Sequence, residues 1–164
     1  MQLIYKKATI EDIECLTESR IEVLKSANQL SDDADLQEVK EQSYIYYQKA
    51  LQEGNHIAYL VFDGNHLAAT GGVSFYQVLP TYHNPTGKKA YIMNMYTRPE
   101  YRRRKIAFQL LERLVQECRE KGITAISLEA TDMGRPLYER FGFVSMHSEM
   151  ELISAERKKV LPGR

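Results

Sequence analysis

Residues 90–122 constrain the fold more than any other stretch. AYIMNMYTR reads as a strand that Pro99 stops. From 102 to 121, Ile106, Leu110, Leu114 and Cys118 then recur at steps of four, with Ala107, Leu111 and Val115 beside them. That spacing lays an apolar stripe along one helix face, and Gly122 ends it. Between strand and helix stand Arg102, Arg103, Arg104 and Lys105. They do not belong to a basic chain, because Lys+Arg and Asp+Glu both count 22. The run therefore reads as a nucleic-acid or targeting patch, a solvated helix end, or the mouth of an anion site. The last has a backbone reason. The first amides of a helix lack intrahelical partners, and the macrodipole adds about half a positive charge there.

The rest of the chain supplies one α/β layer. LIYKKA (3–8) reads as a strand, and Thr9 before Glu11 and Asp12 suits a helix start, so helix is expected from about 11 to 28. QLSDDADLQ breaks the pattern before a second helix that runs to Gly54. HIAYLVFDGNHLAATGGVSFYQV is a hairpin turning on Asp63-Gly64-Asn65, with Gly71 and Gly72 marking a bulge or a close backbone approach. A loop over 79–89 leads to the strand at 90–98, and TAISLEA (124–130) follows the long helix as a further strand. A short helix near 135–140, a last strand near 143–153 and a loose tail from about 155 complete the order β-α-α-β-β-β-α-β-α-β. The expected class is α/β (α+β, mixed sheet), with helices on both faces and one domain over 1–164.

Several classes are disfavoured at once. No apolar run nears the about 18 residues of a membrane span, and MQLIYKKATIEDIE has no signal-peptide core, so a cytoplasmic protein is expected, with no membrane partner. Cys15 and Cys118 sit in helical patterns and read as buried thiols. His56, His66, His83 and His147 have no ligand spacing, so no metal is expected.

RPEYRRRKIA (98–107) resembles the acyl-CoA-binding motif of the GNAT superfamily of N-acetyltransferases, whose core is Arg/Gln-x-x-Gly-x-Gly/Ala. Arg102 and Ala107 take its first and last positions, while Arg103 and Lys105 stand where glycines are usual. A side chain at 105 is tolerable if φ stays negative and Lys105 points away from the phosphates or towards them. LEATDMGRPLYERFGF (128–143) resembles the family's C-terminal motif, with Tyr138, Gly142 and Phe143 matched, Thr131 in place of its Asn and Gly134 in place of its Ala.

The resemblance implies a GNAT-like fold in which the parallel strands 90–98 and 124–130 splay apart to admit acetyl-CoA as co-substrate. Met95, Tyr96 and Thr97 would bond its pantetheine arm. Arg102, Arg103, Arg104, Lys105, Ile106, Ala107 and Phe108 would hold the pyrophosphate, with Thr131 and Tyr138 bordering the cofactor. The activity implied is N-acetyl transfer to a primary amine of a small molecule or peptide, directly, through a tetrahedral intermediate. Tyr138 is the family's position for the acid that protonates the CoA thiolate. The expected base is not evident: YIMNMYT holds no acid, Asn94 is no base, and Glu129, Glu18, Glu22 or a water relay are the candidates. Glu129 would share a strand face with Thr131. Tyr44, Tyr46 and Tyr47 line an amine pocket or pack in a core or dimer. The alternative function is a non-catalytic acyl-CoA-binding module. A nucleic-acid partner is disfavoured by Glu112, Glu117 and Glu120 on the Arg-led helix and by the absence of a stacking motif.

Overall fold

Apolar runs in the first 129 residues assemble into one mixed sheet. Strands β1 (Leu3–Lys7), β2 (His56–Asp63), β3 (His66–Gln77) and β4 (Lys88–Thr97) lie antiparallel in chain order, and β5 (Ala125–Leu128) joins β4 in parallel. The structure is a computed structural model that describes residues 1–155. The expected loose tail lies, past Ala155, outside the described residues. Two compact units divide the chain, Met1–Glu129 and Ala130–Arg164.

In the first unit, Thr9 closes a capping box. Its hydroxyl accepts from the Glu11 amide at 3.3 Å while Asp12 accepts from the Thr9 amide at 2.9 Å, which sets the entry to α1 (Ile13–Ala27). Helix α2 (Gln37–Glu53) ends at Gly54 in the left-handed region, φ 74°. The period-two pleat of β2 then separates two apolar faces. Ala58 and Leu60 pack with Leu16 of α1 and Tyr47 of α2, whereas Val61 packs with Ala69 and with Ile106 and Leu110 of α3 (Ile106–Glu120). Helices therefore cover both sides of the sheet. The stripe Leu110, Leu111, Leu114 and Cys118 is wholly buried, each leucine contributing about 2 kcal/mol. Burial also pushes the Cys118 thiol up to about 11, so it stays protonated and inert.

Helix α3 starts at Ile106, not at 102 as the apolar spacing suggests, because Arg103 and Lys105 hold positive φ, which right-handed helix cannot include. The two glycines of β3 serve both expected purposes. Register shifts between Thr70 and Gly72, forming a bulge, and a Cβ at Gly71 would meet Met95 Sδ at 2.6 Å while one at Gly72 would meet His56 Nε2 at 2.7 Å.

In the second unit, Thr131 opens the turn into α4 (Arg135–Phe141): its hydroxyl accepts from the Gly134 amide at 3.1 Å and its carbonyl from the Arg135 amide at 2.9 Å. The last strand expected near 143–153 does not form. Its alternating pattern pairs with no strand among the described residues, and Val144, Met150 and Leu152 stand exposed. Without a ladder partner, alternation alone cannot satisfy a strand's backbone groups.

Candidate functional site

The paired length of the parallel strands ends before β4 does. Register between β4 and β5 runs from Lys89↔Ala125 to Ile92↔Leu128 and stops there, while β4 continues to Thr97. Met95, Tyr96 and Thr97 thus lie on a stretch whose far edge carries no strand among the described residues. Along its other edge, Met93 pairs with Gly72 and Tyr96 with Thr70, so Asn94 and Met95 both oppose Gly71. Asn94 absorbs this bulge at φ 58°. The hydroxyl of Thr97 is buried with no hydrogen-bond partner among the described residues. An orphaned buried hydroxyl is costly in a finished core and marks a place where a ligand group fits.

Five residues further on, the chain turns into the N-terminus of α3. Arg102 is spent on the turn itself, its Nε donating to the Thr97 carbonyl at 3.1 Å. Arg103, Arg104 and Lys105 are exposed. Gln109 is the residue whose amide reaches back to the Lys105 carbonyl, at 3.1 Å, so the amides of Ile106 and Ala107 have no acceptor within the helix. Arg103 (φ 61°) and Lys105 (φ 63°) keep the left-handed backbone of the motif's glycines although neither is glycine, so the negative φ that would make Lys105 tolerable is not met. A lysine there costs about 1 kcal/mol relative to a relaxed backbone. Lys105→Gly is therefore expected to raise stability by about that amount, seen as a higher urea midpoint at constant m value; an unchanged or lower midpoint would contradict the strain.

A cavity of about 470 Å³ opens between α1, α2 and the sheet. Arg20, Tyr46, Tyr47, His56, Ser74 and Asn94 are among the polar residues that line it. The bulge explains why consecutive Met93 and Asn94 both reach it. Tyr46 Oη lies 2.7 Å from Ser74 Oγ and 2.9 Å from His56 Nδ1, and Ser74 Oγ lies 3.1 Å from the same nitrogen. Desolvation, reinforced by the Arg20 charge, lowers His56 to about 4, so the imidazole is neutral at pH 7. Burial pushes Tyr47 up to about 12. Tyr46 and Tyr47 thus line the cavity, whereas Tyr44 does not.

The base candidates fare differently. Glu22 is a bidentate partner of Arg98, at 2.9 and 2.8 Å, and Glu18 is exposed on α1. Glu129 lies one residue past β5, so it and Thr131 do not share a strand face: the strand ends at Leu128 and Thr131 already belongs to a turn. Thr131 and Tyr138 belong to the second unit. There the Tyr138 ring packs edge-on to Phe143 at 6.1 Å, and Thr131 Oγ1 would lie 3.3 Å from a Cβ at Gly134. Burial raises the Tyr138 phenol above its ordinary value. Arg20, His56 and Ser74 escape sequence reasoning because they come from three separate elements and match no motif. Among the described residues no three His, Cys, Asp or Glu side chains gather as a metal site, and no helix is long and apolar enough to cross a membrane.

Comparison with known proteins gives one consistent answer. Residues 24–143 match the family model described as Acetyltransferase (GNAT) family. A predicted acetyltransferase from Clostridium acetobutylicum, solved with acetyl-CoA, is 33% identical with a TM-score of 0.85, covering 93% of this chain and 96% of that one. A GCN5-related N-acetyltransferase from Ralstonia eutropha JMP134 is 27% identical with a TM-score of 0.80, covering 94% and 99%. Glucosamine-6-phosphate N-acetyltransferase from Arabidopsis thaliana shares the fold at 17% identity and a TM-score of 0.69, covering 93% and 99%. No curated protein sequence matches the chain significantly.

Proposed function

Because the chain belongs to the acetyltransferase (GNAT) family, we propose that it transfers the acetyl group of acetyl-CoA to a primary amine of a small molecule or peptide. The observation that carries this reading is the parting of β4 from β5 after Ile92↔Leu128, beside a helix N-terminus rich in cations. Acetyl-CoA supplies an acetyl thioester and a pyrophosphate, and the residues suit both ends. The amides of Ile106 and Ala107, with the exposed cations Arg103, Arg104 and Lys105, offer a positive mouth for the pyrophosphate. The main chain of Met95, Tyr96 and Thr97 holds the arm, and the Thr97 hydroxyl gains the partner it lacks.

The acceptor amine must lose a proton before it attacks. Glu22 is engaged by Arg98, which leaves Glu18, Glu129 or a water relay for that proton. A main-chain N–H on the unpaired length of β4 stabilises the oxyanion. Tyr138 delivers a proton to the departing thiolate; its raised pKa keeps it in the acid form at neutral pH. Thiol release from acetyl-CoA, followed across a panel of amines, tests the reaction. Amine-dependent release supports it, whereas tight acetyl-CoA binding with no release by any amine favours the binding module.

A further inference from the structure

The cavity between α1, α2 and the sheet holds a cation, Arg20, that pairs with no carboxylate among the described residues. Arg20 is half-buried, and its Nη1 donates to Asn94 Oδ1 at 3.1 Å. No carboxylate lies within 4 Å of it among the described residues: the ion pairs there involve Lys6, Lys7, Arg98 and Arg135. Glu38 lines the same cavity but stands exposed and forms no pair with Arg20. The ionisable neighbours do not neutralise it either. Tyr47 of α2 keeps its proton, with a pKa pushed up to about 12, and His56 of β2 is neutral above about pH 4.

A guanidinium carries five N–H donors, and one bond to an amide oxygen leaves most of them unspent. Taking such a group out of water without an anion is unfavourable, and burial lowers the Arg20 pKa accordingly. The bulge at Asn94 fixes the geometry. It turns the Asn94 amide towards Arg20 and holds the guanidinium against the cavity wall, two residues past Ile92, where pairing of β4 with β5 ends. Tyr46 and Ser74 add neutral hydroxyls to that wall. No described carboxylate pairs with the guanidinium, and its planar fork of donors suits a carboxylate or a phosphate.

Building on the acetyltransferase reading, we propose that the acceptor is a small amine bearing a compact oxyanion, a carboxylate or a phosphate, which pairs with Arg20 inside the cavity. The cavity volume admits a molecule of amino-acid or amino-sugar-phosphate size. Arg20 is then a specificity-determining residue: it selects anionic amines over neutral ones of the same shape.

Matched acceptors test this. Free amino acids are compared with their C-terminal amides, and amino-sugar phosphates with the parent amino sugars, by thiol release from acetyl-CoA with the full chain. The anionic member of a pair is expected to have the higher kcat/KM by about 10- to 100-fold, through KM. Arg20→Gln should collapse that ratio towards one, and Arg20→Lys should restore part of it. The amino-acid and amino-sugar arms tell carboxylate from phosphate. Equal or better use of the neutral members, or a ratio that Arg20→Gln leaves intact, overturns the proposal. Failure of the acetyltransferase reading shows separately, as no thiol release from any acceptor. In that event the same matched pairs are titrated as ligands, with thermal stabilisation as the readout. Stabilisation by the anionic members alone, lost in Arg20→Gln, still supports the anion site; none, or equal stabilisation by both members, overturns it.

Discussion

Tyr138→Phe is expected to lower kcat by about 10²- to 10³-fold and to leave acetyl-CoA affinity nearly unchanged. The substitution removes only an oxygen. The ring keeps its edge-on contact with Phe143 at 6.1 Å, and no described residue hydrogen-bonds the hydroxyl, so the fold has little reason to respond. What is lost is a proton donor. Burial raises the phenol's pKa, so the acid form persists across neutral and mildly alkaline pH. The alkaline limb of kcat should therefore lie above the usual phenol range of about 10 and should vanish in the variant. Steady-state kinetics at several pH values, with acetyl-CoA binding measured alongside, check this. Undiminished turnover would assign the thiolate's proton to another group.

Stability should also fall on mild acidification, well before carboxylates are protonated. His56 is buried among Arg20 of α1, Tyr46 and Tyr47 of α2 and Ser74 of β3, and its pKa drops from 6.5 to about 4 because of desolvation and the Arg20 charge. In the unfolded chain the imidazole takes up a proton near pH 6.5, which the native state refuses until about pH 4. The unfolded state therefore binds more protons across that window, and stability declines as pH falls through it. A shift of this size corresponds to about 3 kcal/mol in total. Urea unfolding at pH 7.5 and pH 4.5 should show most of that loss. His56→Gln should flatten the dependence over this range whatever its effect on absolute stability; an unchanged slope would mean that another group carries it.

The elements and their punctuation were legible wherever local chemistry decides them. Thr9 with Asp12, Gly54, the Asp63-Gly64-Asn65 turn and the four-residue stripe of α3 each act within a few residues, and each appears in the structure as read. The start of α3 was misread because a periodic apolar stripe says nothing about backbone sign, and two non-glycine residues take positive φ at 103 and 105. The final strand was misread for a related reason: alternation at 143–153 describes a face, and a strand also requires a neighbour to pair with. The proposed acyl-CoA side is continuous in sequence, from Met95 to Phe108, which is why a motif can point to it. The cavity is not continuous, since Arg20, His56, Ser74 and Asn94 are up to 74 residues apart and meet only through the sheet.

Binding of CoA esters tests the central claim most directly, because it requires no knowledge of the acceptor. Acetyl-CoA and CoA at about a hundred times their dissociation constants should each add about 2.7 kcal/mol to stability, measured as a saturable rise in the thermal midpoint. No rise with CoA, acetyl-CoA or any longer acyl-CoA would contradict the account.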